Sequence, residues 1–143
     1  IISLSQDFRL LKDAKFGDRE FIYGLPEINR EKILQSDNVA NPGCFATTME
    51  LGLLPLAKAD LLGDVYTTGI TGSTGAGQKL SESSHFSWRE NNVQAYKSLN
   101  HQHIHEINQT LELTSPSGRI PNINCTVERG FYKRHLYYVP NEM

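Results

Sequence analysis

The chain has 143 residues, a formal net charge of -2, and 21% charged against 38% hydrophobic residues. This balance is typical of a globular protein with a core of its own, and it excludes a disordered chain. There is no basic excess for nucleic acid or an anionic membrane surface, and no apolar run approaches the roughly 20 residues that cross a bilayer. Two cysteines are too few for a disulfide framework, so we expect a reducing, cytosolic compartment.

Turn signals and apolar spacing predict the elements of the first half of the chain. The run Ile1–Leu4 is typical of a buried strand end, which suggests that the chain is part of a longer protein. The turn at Tyr23–Glu27 opens a helix over Asn29–Gln35. After Asn41-Pro42-Gly43, dense apolar spacing predicts a buried helix from Phe45 to about Ala59.

The second half alternates strand-like and helical patterns. Predicted strands cover Val65–Thr71, Ile120–Val127 and Phe131–Val139, and a helix covers His103–Leu113. Between them, residues 86–99 are expected to be part helix and part covering loop. We therefore expect a domain of mixed α/β character.

Cys44 is the sharpest chemical signal. The turn Asn41-Pro42-Gly43 places this cysteine in the first turn of the following helix, where unpaired backbone N–H groups and the helix dipole stabilise an anion. The same N–H groups could stabilise an oxyanion at a carbonyl that the sulfur attacks. The alternative is a buried cysteine that acts as a small hydrophobe, which is the better interpretation of Cys125 in its strand pattern.

A cluster of histidines could carry the accompanying proton transfer. His101, His103, His105 and Glu106 lie within six residues. An imidazole can give and take a proton near neutral pH, and a carboxylate can orient it. A metal site built on the three histidines, or a set of plain surface residues, explains the same spacing.

The glycine-rich segment Gly72–Gly77 is neither of the two common nucleotide-binding motifs. Gln78 and Leu80 stand where a P-loop requires Lys and Ser or Thr, and the Rossmann glycine pattern is absent. It is either a plain turn or a loop whose backbone approaches a ligand closely. The polar, aromatic run Ser84–Asn92 could hold a carboxylate and amides of a substrate, or could be an ordinary exposed segment.

Taken together, the motifs resemble those of the N-acyl-γ-glutamyl-phosphate reductases. The resemblance covers roughly residues 1–109, in family order, and fades after Leu113. The motifs that carry it are Asp7-Phe8-Arg9, Tyr23-Gly24-Leu25-Pro26-Glu27, Ala40-Asn41-Pro42-Gly43-Cys44-Phe45-Ala46-Thr47, Ile70–Gly77 and His101-Gln102-His103-Ile104-His105-Glu106-Ile107. His105 departs from the family, which often has proline there.

The resemblance implies an α/β (α+β) fold, a mixed sheet with flanking helices like the C-terminal catalytic domain of glyceraldehyde-3-phosphate-dehydrogenase-like enzymes. Residues 1–20 would be the tail of a dinucleotide-binding domain, and residues 21–143 an incomplete catalytic and substrate-binding domain. The complete enzyme would be a homo-oligomer.

The implied reaction is an NADPH-dependent reduction of an N-acyl-γ-glutamyl phosphate to the semialdehyde in arginine biosynthesis, with NADP as cofactor, release of phosphate and no metal. Cys44 would form a thioester, His101 and His103 would transfer protons, and Glu106 would orient one of them. The loop residues Ser73, Gly75, Ala76 and Gly77 would contact the cofactor. The substrate contacts would be Asn41, Arg89, Asn91 and Asn92.

Three rival interpretations remain. Aspartate-semialdehyde dehydrogenase shares the thiol and hydride chemistry, although the Asn-Pro-Gly-Cys and Tyr-Gly-Leu-Pro-Glu motifs favour the glutamyl-phosphate enzyme. A relative from the lysine or ornithine pathway would differ only in the acyl group. A metal-binding or structural module built on the three histidines would not be an enzyme.

Overall fold

The computed structural model describes residues 1–76, 80–131 and 136–138. The strands are β1 (Ile2–Ser3), β2 (Lys15–Phe16), β3 (Arg19–Glu20), β4 (Ile22–Tyr23), β5 (Val39–Ala40), β6 (Val65–Gly72), β7 (Gln94–Ala95), β8 (Ile123–Gly130) and β9 (Leu136–Tyr138). The helices are α1 (Pro26–Leu34), α2 (Cys44–Lys58), α3 (Phe86–Arg89) and α4 (Ile104–Thr114). The chain divides into two compact units, residues 1–62 with 102–121 and residues 63–101 with 122–143.

The first unit contains a small parallel sheet, the antiparallel pair β2–β3 and the three helices α1, α2 and α4. The strand order of the parallel sheet is β1-β5-β4, with β5 parallel to both neighbours. Helix α2 buries one face, because its apolar side chains recur at helical spacing. The buried apolar residues of α2 are Phe45, Ala46, Met49, Leu53, Leu54 and Ala57. Helix α4 packs its Ile107 and Leu111 into the same core.

The second unit contains a mixed sheet of order β7-β8-β6-β9. Strands β6 and β8 are parallel from Val65 opposite Ile123 to Gly72 opposite Gly130, while β7 and β9 run antiparallel to their neighbours. In β6 and β8 burial alternates along the strand, as expected when one face of a sheet is covered. The mixed sheet and the α/β class predicted from the sequence are confirmed.

Most predicted elements are present, with three differences. Strand β8 covers Ile123–Gly130 rather than Ile120–Val127, and the predicted strand Phe131–Val139 lies partly outside the described residues, which include β9. The run Ile1–Leu4 contains a strand, but Ile1, Ile2 and Leu4 are exposed, so the predicted burial is wrong. The reason is that, among the described residues, β1 is an edge strand that pairs with β5 on one side and is left uncovered on the other. Helix α1 begins at Pro26 rather than Asn29, because proline is well suited to the first helical position.

Residues 1–20 cluster with the first unit. The predicted division of the chain at residue 20, between a dinucleotide-binding tail and a catalytic domain, stays a prediction.

Candidate active site

Cys44 is the first residue of α2, and it is exposed. The helix is preceded by Gly43, which has an extended backbone (φ -66°, ψ 148°) and no side chain that could cap the helix. The carbonyl oxygen of Gly43 accepts hydrogen bonds from the Thr47 backbone N–H at 2.8 Å and from its hydroxyl at 3.0 Å. The thiol therefore lies at the amino end of a well-formed helix, as predicted, where an anion is stabilised.

The small parallel sheet holds the turn before Cys44. The backbone N–H of Asn41 donates to the Ser3 carbonyl at 2.8 Å, which extends the β1–β5 pairing into the turn. The Gly24 N–H donates to the Ala40 carbonyl at 2.9 Å. A Cβ on Gly24 would lie 2.7 Å from the Val39 side chain, so only glycine permits this close approach.

His103 packs directly on the residue before the thiol. A Cβ added to Gly43 would lie 2.6 and 2.7 Å from the Cδ2 and Cε1 atoms of the His103 ring, and closer still to Nε2. The imidazole is buried and also meets the Phe45 ring at 6.3 Å between centroids. The need for glycine at this position therefore comes from the contact with His103 and not from the backbone, because a φ of -66° would suit any residue.

Glu106 lies in the first turn of α4 and joins several elements of the first unit. Its Oε2 accepts the Gly43 backbone N–H at 2.9 Å, and its Oε1 accepts from Arg9 Nη1 at 3.1 Å. The distance from His103 Nε2 to Oε1 is 4.0 Å, which is an ion-pair contact and longer than a hydrogen bond. The Glu106 carboxylate thus binds the backbone N–H beside the thiol directly, and it also faces the His103 imidazole.

Two residues of the quoted motifs, Arg9 and Tyr23, belong to the site without a predicted role, and the site also includes Glu50, which lies in none of those motifs. Arg9 is buried and also donates to the Leu4 carbonyl at 3.1 Å. The Tyr23 hydroxyl lies 3.0 Å from Glu106 Oε2 and 3.1 Å from both carboxyl oxygens of Glu50. Glu50 is fully buried in the second turn of α2. The available signal was a single acidic residue inside the apolar run of that helix.

The buried environment changes the pKa of both Glu50 and Tyr23. Burial, reinforced by the nearby Glu106 charge, raises the pKa of Glu50, while the Tyr23 and Thr110 hydroxyls beside the carboxyl group act in the opposite direction. Burial and both carboxylates raise the pKa of Tyr23. Tyr23 therefore keeps its proton at physiological pH.

His101 and the cofactor-loop residues belong to the second unit. His101 is buried and meets Tyr96 edge-on, with ring centroids 6.1 Å apart. Ser73, Gly75 and Ala76 form a short 3₁₀ turn immediately after β6, and Gly77 lies outside the described residues. The part of the glycine-rich segment that is described is therefore a tight turn at the carboxyl end of a central strand.

The predicted substrate contacts have varied surroundings. Asn41 donates its side-chain amide to the Pro42 carbonyl at 3.1 Å in the turn before the thiol. Arg89 is buried in α3 and donates to the backbone carbonyls of Ser83 and, at 2.7 Å, of Arg129. Asn92 donates to the Trp88 carbonyl at 2.9 Å, and Asn91 has a left-handed backbone with φ 53°. Arg89 thus binds two backbone carbonyls, a structural role that the sequence did not indicate.

Among the residues that the structure describes, no group of three or more His, Cys, Asp or Glu side chains could hold a metal ion. His105 is exposed and lines an open cavity of about 470 Å³ beside Arg9 and Glu106. No described helix is long and apolar enough to span a membrane.

Comparison with curated proteins finds relatives named N-acetyl-gamma-glutamyl-phosphate reductase. That of Phocaeicola vulgatus is 58% identical over 138 residues, which are 96% of this chain and 41% of the relative. That of Christiangramia forsetii is 46% identical over the same shares, and that of Flavobacterium johnsoniae is 58% identical over 78% of the chain and 34% of the relative. The chain thus spans less than half the length of these relatives.

Among solved structures, aspartate semialdehyde dehydrogenase II from Vibrio cholerae matches with a TM-score of 0.61 at 17% identity. The match covers 90% of this chain and 44% of that one, and it supports the fold that the sequence predicted. A family model described as "Semialdehyde dehydrogenase, dimerisation domain" matches residues 44–133, which is more than half of the chain and begins at Cys44 itself. The chain belongs to the semialdehyde dehydrogenase dimerisation-domain family.

Proposed function

We propose that this chain supplies the nucleophile of an NADPH-dependent N-acyl-γ-glutamyl-phosphate reductase that acts in arginine biosynthesis. The observation that carries the proposal is the exposed Cys44 thiol at the start of α2, on a turn bonded to Glu106 and covered by His103. The names of the relatives support the reaction, and their identities of 46–58% support the acyl-glutamyl substrate.

In the first step, the Cys44 thiolate attacks the carbonyl carbon of the acyl phosphate. A carbon–sulfur bond forms, the bond from carbon to the phosphate oxygen breaks, and phosphate leaves with that electron pair. Backbone N–H groups in the first turn of α2 would stabilise the oxyanion that forms in passing. The product is a thioester on Cys44.

In the second step, the thioester would be reduced. A nicotinamide cofactor held beside Ser73, Gly75 and Ala76 would supply the hydride for the thioester carbon. The hemithioacetal on Cys44 then loses its carbon–sulfur bond, which releases the semialdehyde and restores the thiolate. His103 is our candidate for proton transfer to and from the reacting oxygen, since it packs on Gly43 beside the thiol. Glu106, with Oε1 at 4.0 Å from Nε2, would stabilise the protonated ring.

The described part of the cofactor loop fits a flat aromatic ring. Ser73, Thr74 and Gly75 carry no side chain larger than that of threonine, and the last two are exposed. We assign nicotinamide contacts to Ser73, Gly75, Ala76 and Gly77. His101 would assist proton transfer, and Asn41, Arg89, Asn91 and Asn92 would contact the acyl-glutamyl group.

Two further properties belong to the same proposal. The description of the family as a dimerisation domain supports a homo-oligomer as the working enzyme. The two free cysteines support a reducing, cytosolic compartment.

The test compares Cys44→Ser with Cys125→Ala in the full-length protein. Cys125 is buried in β8, and desolvation raises the pKa of its thiol, so it is a matched cysteine without the proposed role. We expect Cys44→Ser to lose at least about a thousandfold in kcat with N-acetyl-γ-glutamyl phosphate and NADPH, and Cys125→Ala to keep the parent rate.

Iodoacetamide provides a second readout, since it should modify the exposed Cys44 several-fold faster than Cys125 in the folded protein. A fully active Cys44→Ser protein would end the covalent mechanism. Faster turnover of aspartyl phosphate than of the glutamyl compound would transfer the proposal to the aspartate enzyme.

A further inference from the structure

A buried hydrogen-bonded cluster lies behind the turn that carries Cys44. The Tyr23 hydroxyl lies between two carboxyl groups, 3.1 Å from both oxygens of Glu50 and 3.0 Å from Oε2 of Glu106. The same Oε2 accepts the Gly43 backbone N–H at 2.9 Å, while Arg9 binds the other oxygen. The cluster thus connects the second turn of α2 with the residue immediately before its first.

The available protons determine the direction of these hydrogen bonds. Tyr23 has one proton, yet it faces two carboxyl groups. Glu106 pairs with the Arg9 guanidinium and accepts the Gly43 N–H, so both of these neighbours treat it as an acceptor. Burial raises the pKa of Glu50, which favours its neutral form. The Tyr23 hydroxyl therefore donates to Glu106 Oε2, and the Glu50 carboxyl group lies at hydrogen-bond distance on the other side of the same hydroxyl.

We propose that Tyr23 and Glu50 are positioning residues for Cys44, because they fix the Glu106 carboxylate where it accepts the Gly43 N–H. Neither would touch the substrate. The inference rests on the proposed role of Cys44 as nucleophile, and it adds two residues to which the reaction assigns no step. Fixing Gly43 fixes the direction in which α2 starts, and therefore the position of the thiol and of the N–H groups around it.

The cost of this cluster argues against a purely structural role. Two carboxyl groups and a phenol are buried where apolar side chains of similar size would pack as well or better. Their hydrogen bonds converge on a single backbone N–H, one residue before the nucleophile. A purely structural cluster would affect only the free energy of unfolding, whereas a positioning cluster affects turnover and the protection of the Gly43 amide.

The experiment uses the full-length protein and the isosteric variant Tyr23→Phe, which removes only the hydroxyl. We expect kcat to fall about 10- to 100-fold while KM for the acyl phosphate stays within about twofold. Hydrogen–deuterium exchange of the Gly43 amide, resolved by fragmentation of the peptide in mass spectrometry, should become at least about tenfold faster. Tyr66→Phe, an exposed tyrosine of β6, is the matched control for hydroxyl loss.

Glu50 provides a second pair of variants should Tyr23→Phe fold poorly. Glu50→Gln keeps a neutral polar partner for the Tyr23 hydroxyl, and Glu50→Leu removes that partner at similar size. We expect Glu50→Leu to show the loss in kcat and the faster Gly43 exchange, and Glu50→Gln to recover most of both.

The outcomes separate this inference from the proposed function. An unchanged kcat in Tyr23→Phe and Glu50→Leu, or a lowered kcat with unchanged Gly43 exchange, overturns the positioning role while an inactive Cys44→Ser protein leaves the proposed function intact. A lowered melting temperature as the only effect overturns it too. A fully active Cys44→Ser protein refutes the proposed function instead.

Discussion

At the scale of single residues, Gly43 has hydrogen bonds on both backbone groups and no free space for a Cβ. Its backbone N–H is bonded to Glu106, its carbonyl accepts from Thr47, and the His103 ring occupies the space that a Cβ would need. The backbone angles would suit alanine. Any effect of a substitution therefore comes from the contact with His103 and not from backbone strain.

We expect Gly43→Ala to displace either the His103 ring or the turn that carries Cys44. Overpacking of this kind costs about 1–3 kcal/mol of unfolding free energy, and the displaced groups should lower kcat at least about tenfold. Urea unfolding and steady-state kinetics provide the two measurements. Gly52→Ala is the control, because a Cβ there meets nothing within 4 Å. Equal kinetics for the two variants would contradict the close packing of His103.

At the scale of elements, α2 combines the exposed Cys44 thiol at its amino end with a buried acidic group. The helix begins at Cys44 and buries Glu50 against Tyr23 of β4 and against Glu106 and Thr110 of α4. These neighbours include one carboxylate and no described cation in direct contact with Glu50. Burial therefore dominates, and the pKa of Glu50 is raised.

This shift has a defined sign in the pH dependence of stability. The unfolded chain loses the Glu50 proton near 4.5, the ordinary pKa, while the folded protein keeps it to higher pH. The stabilisation is thus complete below the unfolded pKa and is lost as pH rises through the folded pKa. Glu50→Gln cannot titrate, so its unfolding free energy should gain on the parent's as pH rises, by at most about 1.4 kcal/mol per pH unit.

Urea unfolding at steps between pH 4 and 8 provides the comparison for Glu50→Gln. The exposed Glu27 of α1 provides the control substitution Glu27→Gln, which should follow the parent curve. Parallel curves for the Glu50→Gln protein and the parent would mean that Glu50 is charged in the folded state.

At the scale of the whole molecule, the histidine cluster is split between the two compact units. His101 belongs to the second unit, while His103 and His105 belong to the first. Of the two in the first unit, His103 is buried against Gly43 and His105 is exposed. Each histidine therefore has surroundings of its own.

We expect purified protein to contain far less than one zinc per chain, because a structural zinc site needs four convergent ligands. Elemental analysis after gel filtration in the presence of a weak chelator is the measurement. The matched comparison is His103→Ala. A stoichiometric zinc that disappears in this variant would favour the metal-binding alternative over acid–base chemistry.

The elements of this protein follow closely from local sequence. Helix α2 was predicted within one residue at each end, because the Pro-Gly break and the apolar spacing are both local signals. Strand β6 and helix α4 follow for the same reason. The exposure of Ile2 did not follow, since strand pairing at a sheet edge depends on residues distant in the chain.

For the site, the sequence by itself determined that Cys44, the proposed nucleophile, starts a helix, and it singled out His103 and Glu106. The position of Cys44 at a helix start follows from the turn Asn41-Pro42-Gly43 immediately before it. His103 and Glu106 lie together in a second short motif. Only the tertiary structure decided that Glu106 accepts the Gly43 N–H, 63 residues away, and that Tyr23 and Glu50 stand behind it. Hydrogen bonds between distant residues depend on how helices and strands pack, and no local pattern encodes that packing.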